Sequence, residues 1–360
     1  MSGQLSDILE FKNGKKRPAA DGSIPVYGGN GILGYTNESN YENCIVIGRV
    51  GAYCGSVYYE RNACWISDNA IAALPKDQTD IVYAYYLLKS LRLNERRIGT
   101  GQPLLTQGIL NKTTANILPY DQQVKVGRIL GRLDDAICEN ERINDNLLEQ
   151  ANAIFTKEFL SFDELPDGWR EGSLLEIADY LNGLAMQKYR PKEDETGIPV
   201  LKIKELRQGF CDSNSEPCSP SIKPEYIIHD GDVIFSWSGS LLVDFWCGGV
   251  CGLNQHLFKV TSDSYDKWFY YAWTNHYLKK FVAIAANMAT TMGHIKREEL
   301  SKAEVYIPPR LEYERIGALL SPLYDLVIAN RIENRKLASI RDELLPKLLS
   351  GEMNVTDLTL

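Results

Sequence analysis

Two stretches of the chain repeat apolar residues at alternating steps of four and three, and both are interrupted by Asn at the same places. The first runs Val126, Leu130, Leu133, Ile137, Asn140, Asn144, Leu147, Ala151, Ile154. Adding 190 gives Ile316, Leu320, Leu323, Val327, Asn330, Asn334, Leu337, Arg341, Leu344. A period of 3.5 is that of a coiled-coil seam, so the spacing predicts two long helices. Pro119 and Pro308-Pro309 precede them as start signals, and Pro346 falls near the end of the second. An Asn in an apolar seam costs stability but fixes register; the alternative is that these Asn lie in a solvated stripe beside the seam. If the helices pack antiparallel, Asn140 faces Asn334 and Asn144 faces Asn330. The stretch 126–154 then spans about 42 Å at 1.5 Å per residue.

The segments before each helix have a different texture. Short β-branched runs such as Cys44–Val50 and Gly231–Phe235 are bounded by Gly, Asn and Asp, which predicts strands and turns. Aromatic and aliphatic positions at 81–93 and 266–284 predict helices. These segments are also related to one another. GQLSDILEFKNG from Gly3 returns as GSLLEIADYLNG from Gly172, and Ile24-Pro25-Val26 returns as Ile198-Pro199-Val200. Cys44–Gly51 resembles Asp232–Gly239, Ser67–Ala70 resembles Gly252–Gln255, and Tyr85-Tyr86 resembles Tyr270-Tyr271. The offset grows from 169 to about 190, which places roughly 21 extra residues in the second copy, within Arg207–Glu225.

The expected fold class is therefore α+β, with two tandem target-binding heads separated by two long helices that form an antiparallel coiled coil, a pseudo-two-fold internal repeat. The expected boundaries are 1–119 for the first head, 120–162 for the central helix, 163–307 for the second head, 308–352 for the C-terminal helix and 353–360 for a tail. Such a chain imitates a symmetric dimer within one polypeptide. Two heads at fixed separation suit a split site on duplex DNA, which has local two-fold symmetry of its own.

Charge qualifies that picture. The net charge is −8, distributed as +2 over 1–119, −5 over 120–165, −4 over 166–307 and −1 over 308–360. No segment is strongly basic, so other subunits are expected to supply much of any phosphate neutralisation. The eight Cys are scattered and the four His are unpaired with them, so no zinc site and no cofactor are expected. Free thiols fit a cytoplasmic protein. No apolar run reaches the roughly 18 residues of a membrane span, and the first residues do not read as a signal peptide. Neither a G-x-x-x-x-G-K-[ST] phosphate loop nor an Asn/Asp-Pro-Pro-aromatic methylase segment is present. Gly28-Gly29-Asn30-Gly31 reads as a turn, and Glu10-Phe11-Lys12 as structural because its counterpart is Asp179-Tyr180-Leu181. No catalytic residues are assigned.

The order head, helix, head, helix resembles the specificity subunit of Type I restriction-modification systems over essentially the whole chain. The resemblance rests on Ile24–Gly31, Ile47–Gly51, Gly99–Pro103, Leu165–Trp169 and Leu344–Gly351. It implies two target-recognition domains, each reading half of a bipartite, asymmetric DNA sequence. It also implies two methyltransferase (modification) subunits docked on the chain, with restriction subunits added for cleavage; chemistry belongs to those partners.

Base reading needs amides and Arg, while Lys, Arg and hydroxyls hold phosphates. In the first head the candidates for bases are Asn30, Arg49, Asn69 and Gln102. Those for phosphates are Lys12, Lys15, Lys16 and Arg17, whose alternative is a solvated turn. Arg49 could instead serve an internal salt bridge. In the second head the candidates are Ser236, Trp237, Ser238, Ser240, Asn254, Gln255, Met292, His294, Lys296 and Arg297, with Lys188 and Arg190 for phosphates. Trp237 could be core, and His256 reads as a hydrogen-bonded structural residue. A competing function is a scaffold whose coiled coil binds protein partners and whose heads read no DNA.

Overall fold

The computed structural model describes residues 2–99, 103–287 and 295–353. It separates into two compact units, 1–137 with 337–360 and 138–336. Both long helices, α4 (Tyr120–Phe159) and α9 (Arg310–Ser350), are divided between the units. Among the described residues no helix is long and apolar enough to cross a membrane.

The first head contains β1 (Ser2–Gln4), α1 (Leu5–Ile8), β2 (Leu9–Asn13), β3 (Ile24–Gly28), β4 (Gly31–Thr36), β5 (Tyr41–Gly48), β6 (Val57–Ile66), β7 (Ala70–Pro75), α2 (Ile81–Ser90), α3 (Gln107–Lys112) and β8 (Thr114–Asn116). Its main sheet has the order β2-β7-β5-β6-β3-β4, and β1 pairs with β8. The run Ile45-Val46-Ile47 lies on central β5 and is fully buried, as β-branched residues packed on both faces should be.

The second head contains β9 (Arg170–Ser173), α5 (Leu174–Ile177), β10 (Asp179–Asn182), β11 (Ile198–Leu201), α6 (Ile203–Gln208), β12 (Pro217–Cys218), β13 (Ile227–Ile228), β14 (Val233–Ser236), β15 (Leu242–Phe245), β16 (Cys251–Leu253), β17 (Leu257–Thr261), α7 (Lys267–Asn287), α8 (Arg297–Ser301) and β18 (Glu304–Ile307). Its sheets run β10-β17-β14-β15 and β12-β11-β16-β13, with β9 paired to β18.

The opening stretches repeat in their contacts as well as in their letters. A Cβ on Gly3 would lie 2.8 Å from Ile117 and 3.1 Å from Asp7, and one on Gly172 would lie 2.8 Å from Ile307 and 2.7 Å from Glu176. At the other end, Gly14 and Gly183 press against the carbonyls of Ser67 and Asn254, where a Cβ would stand 1.9 and 2.3 Å away. These contacts correct one expected correspondence. Ser67 matches Asn254, not Gly252, because the Ala70 and Leu257 amides donate to the Ser67 and Asn254 carbonyls at 3.0 Å in the same turn.

Each head completes its core on both long helices. Val126, Ile129, Leu130, Leu348 and Leu349 are buried with the first head's strands and α2. Ala151, Phe155, Phe159, Ile316, Leu320 and Tyr324 are buried with the second head. Between these patches Leu133, Ile137, Leu323 and Leu337 are half-buried, while Leu147 and Val327 are buried. Within the second unit the Asn330 amide donates to Asn144 Oδ1 and the Asn140 amide to Asn334 Oδ1, each at 2.9 Å. One index rises as the other falls, so these segments run antiparallel. Within the first unit Arg341 donates to Asp134 at 2.5 Å, and Asp134 also accepts from the Tyr86 hydroxyl. Burial opposes the Arg341 charge, but Asp134 and Asp342 outweigh it and raise its pKa above the ordinary value. The one mismatched seam pair is thereby explained: Ala151 is buried core, and Arg341 is held by a carboxylate.

The helices approach the heads closely at two glycines that the repeat also relates. A Cβ on Gly127 would lie 2.3 Å from Asp80 Oδ1, the group that caps α2 by accepting from Tyr83 N. A Cβ on Gly317 would lie 3.0 Å from Trp268 Nε1.

Two predictions follow from this packing. Asn330→Ala leaves the buried Asn144 amide unpaired and should cost about 1–3 kcal/mol, whereas Asn144→Leu with Asn330→Leu should be near neutral. Tryptophan fluorescence during urea unfolding reads this, since five of the six Trp belong to the second unit. Gly127→Ala, normally favourable in a helix, should instead cost about 1–3 kcal/mol by overpacking. Gly108→Ala in α3, whose Cβ would meet nothing closer than 3.8 Å, should stabilise by up to about 1 kcal/mol. Calorimetry of the first unit's transition distinguishes the two.

Candidate nucleic-acid interface

In the first head four segments meet where β3 and β5 end. A Cβ on Gly48 would stand 2.5 Å from Tyr53 O and 2.7 Å from Gly29 O, so only glycine allows the β3–β4 turn and the loop after β5 to touch backbone to backbone. Ser56 Oγ donates to Gly29 O at 2.5 Å and locks that contact. The β6–β7 turn joins through Arg49 N to Asn69 O at 2.9 Å, and the segment after residue 102 joins through Leu105 N to Arg49 O at 2.9 Å.

Arg49, Asn30 and Asn69 are thus brought together. Asn30 and Asn69 are exposed, while Arg49 is half-buried. One Arg49 terminal nitrogen donates to Asp68 O at 3.4 Å, and its buried Nε meets no acceptor among the described residues. Arg49 makes no salt bridge there, so the alternative of an internal ion pair is not what the structure contains. Gln102 lies outside the described residues.

The basic group follows β2 beside this cluster. The Lys15 backbone is pinned to the strand preceding the β6–β7 turn, donating to Ile66 O at 3.0 Å and accepting from Trp65 Nε1 at 3.2 Å. The Lys15 and Lys16 side chains are exposed. Arg17 reaches Tyr35 O at 3.3 Å, and Lys12 pairs with Glu10 on its own strand at 3.0 Å. The residue reading missed Tyr53, which is 56% exposed on the loop beside Arg49. Its signal was available in the glycines at 51 and 55, both with positive φ, which bracket a projecting turn.

The second head builds the corresponding corner differently. Several candidates turn inward, which corrects their assignment as direct contacts. Ser236 is fully buried and donates to the carbonyls of Ser238 and Ser240, so it shapes the loop. Ser238 is buried with its hydroxyl 3.1 Å from His256 Nδ1. Asn254 is buried and accepts from His256 N at 3.3 Å. Gln255 is half-buried, with its amide 3.3 Å from His256 Nε2. His256 is the hub of this group, in keeping with a structural role. Trp237 is half-buried, donates to Asn182 Oδ1 at 3.0 Å, and packs its ring against Phe258.

Around this corner Ser240, Lys188 and Lys296 are exposed. Arg190 pairs with Glu216 at 2.9 Å, and Arg297 donates to Tyr180 O at 3.0 Å. Met292 and His294 lie outside the described residues. Among the described residues no group of three or more His, Cys, Asp or Glu could hold a metal. The chemistry offered by both corners is hydrogen bonding and positive charge, from turns fixed to a rigid sheet.

A sequence model of the Type I restriction modification DNA specificity domain matches residues 1–149 and again 166–341. The chain belongs to this family. The Type I restriction enzyme MjaIX specificity subunit of Methanocaldococcus jannaschii is 26% identical over 316 residues, covering 79% of this chain and 72% of that protein. The EcoprrI specificity subunit of Escherichia coli is 27% identical over 162 residues, covering 42% of this chain and 40% of that protein. The crystal structure of a Type-I restriction-modification S subunit from M. genitalium has the same fold, with a TM-score of 0.66 at 16% identity, covering 97% of this chain and 96% of that one.

Proposed function

We propose that the chain is the non-catalytic DNA specificity subunit of a type I restriction-modification complex. The observation that carries this is the double match to the DNA specificity domain, one match on each head. The scaffold reading is not favoured, because it leaves both matches without a role.

In this reading each head reads one half of a bipartite, asymmetric DNA target, since the two corners present different side chains. The heads form a pseudo-two-fold repeat, supported by the equivalent glycine contacts at residues 3 and 172 and at 14 and 183. The helices α4 and α9 act as a coiled-coil pair that sets the spacer and docks two modification subunits, with restriction subunits joining for cleavage. The antiparallel amide pairs support that pairing. The complex works on chromosomal DNA in the cytoplasm.

The net charge of −8 makes the exposed Lys15 and Lys16 important for phosphate contact. Replacing both with Ala in the assembled complex should weaken binding to all sequences alike. The slope of log affinity against log salt should become shallower by about 2, near 0.9 per phosphate contact. Lys12→Ala, already paired to Glu10, should change it less.

A genome-wide map of N6-methyladenine with and without this gene tests the proposal. Loss of methylation at one split, asymmetric motif is expected. An unchanged map in a host whose modification subunit is expressed would overturn the specificity role.

A further inference from the structure

Arg49 and Trp237 hold the same place in their heads, and the bonds establish this independently of any letter-by-letter match. Each is the first residue after its central strand, β5 or β14. Each accepts a 2.9 Å hydrogen bond at its carbonyl from the segment leading into the last part of the head, Arg49 from Leu105 N and Trp237 from Ile295 N. Two residues later each chain turns at a glycine with positive φ, Gly51 at +81° and Gly239 at +64°.

The two side chains at this shared place are in opposite states. The Trp237 indole N–H is engaged by Asn182 Oδ1, and its ring lies against Phe258. Among the described residues the buried Arg49 Nε meets no acceptor, and a terminal nitrogen makes one long contact to Asp68 O. A guanidinium is always charged and carries five donors, so a buried N–H left unmet is favourable only if something else supplies the acceptor.

We propose that Arg49 and Trp237 are one specificity-determining position of the two heads, and that Arg49 takes guanine. This rests on the DNA-reading role proposed above. Guanine offers N7 and O6 as paired acceptors in the major groove, which match a guanidinium fork. A phosphate offers paired oxygens too, but every half-site presents the same phosphates. A position devoted to them meets the same partner in both heads. A position that changes from Arg to Trp reads something that differs between half-sites. Arg49 is also half-buried between turns that fix its backbone on both sides, the rigidity that base discrimination requires.

The test is the N6-methyladenine motif written in the host by the complex carrying the wild-type chain, Arg49→Gln, Arg49→Lys or Trp237→Arg. For Arg49→Gln, selection for one G·C pair in one half-site should fall by about ten- to a hundredfold, with the other half-site unchanged. Arg49→Lys keeps the charge but not the fork and should weaken selection at that same base only; it serves if the Gln variant fails to accumulate. Trp237→Arg should add a guanine preference in the other half-site. An even loss of methylation over all sites with the motif intact would make Arg49 a phosphate contact and overturn the proposal. Unchanged motifs in folded variants would make it structural and overturn it equally. Absence of any split motif with the wild-type chain would instead remove the specificity reading on which the proposal stands.

Discussion

Val126, Leu130, Leu348 and Leu349 are buried with the first head, and Phe155, Phe159, Ile316 and Leu320 with the second. Neither head closes its core without a patch from each long helix. At about 1.5–3 kcal/mol for each large apolar side chain buried, four such residues carry a sizeable fraction of a domain's net stability. The helices are therefore part of the heads' folding and cannot be treated as linkers. A shift of either helix along its axis would open a core, and this constraint makes register valuable.

Register is held by groups that tolerate little displacement. The Asn144–Asn330 and Asn140–Asn334 pairs lie in one unit, and the Asp134–Arg341 pair lies in the other. Each loses a hydrogen bond between partly buried polar groups if its partner moves by one turn. Gly127 and Gly317 add a steric limit, since the cap of α2 leaves no space for a side chain at the first and the Trp268 ring leaves little at the second. These devices favour specificity of pairing over maximal stability, because an apolar seam would bury more area but would slip more easily.

The corners of the heads use backbone the same way. Turns are locked to one another at glycines and by N–H to carbonyl bonds, so the side chains that project from them can vary without disturbing the sheet. The first corner presents Arg49, Asn30 and Asn69, and the second presents an indole, a hydroxyl and a histidine hub. A fixed frame with exchangeable side chains is what two different half-sites ask of a duplicated head.

Local periodicity was enough to find both helices, the paired Asn and the duplication, because seam spacing and repeated letters are properties of the sequence alone. Phe155 and Phe159 escaped that reading because they pack on the second head, off the seam that joins the helices. The burial of Ser236, Ser238 and Asn254 escaped it because burial depends on strands far away in the chain. The match of Ser67 with Asn254 needed the turn hydrogen bonds, since nearby residues fit the letters almost as well. So the sequence alone determined the order of elements and the presence of two related heads. Only the tertiary structure decided which polar side chains face outward and which hold the corner together, because burial depends on the strands packed around each turn.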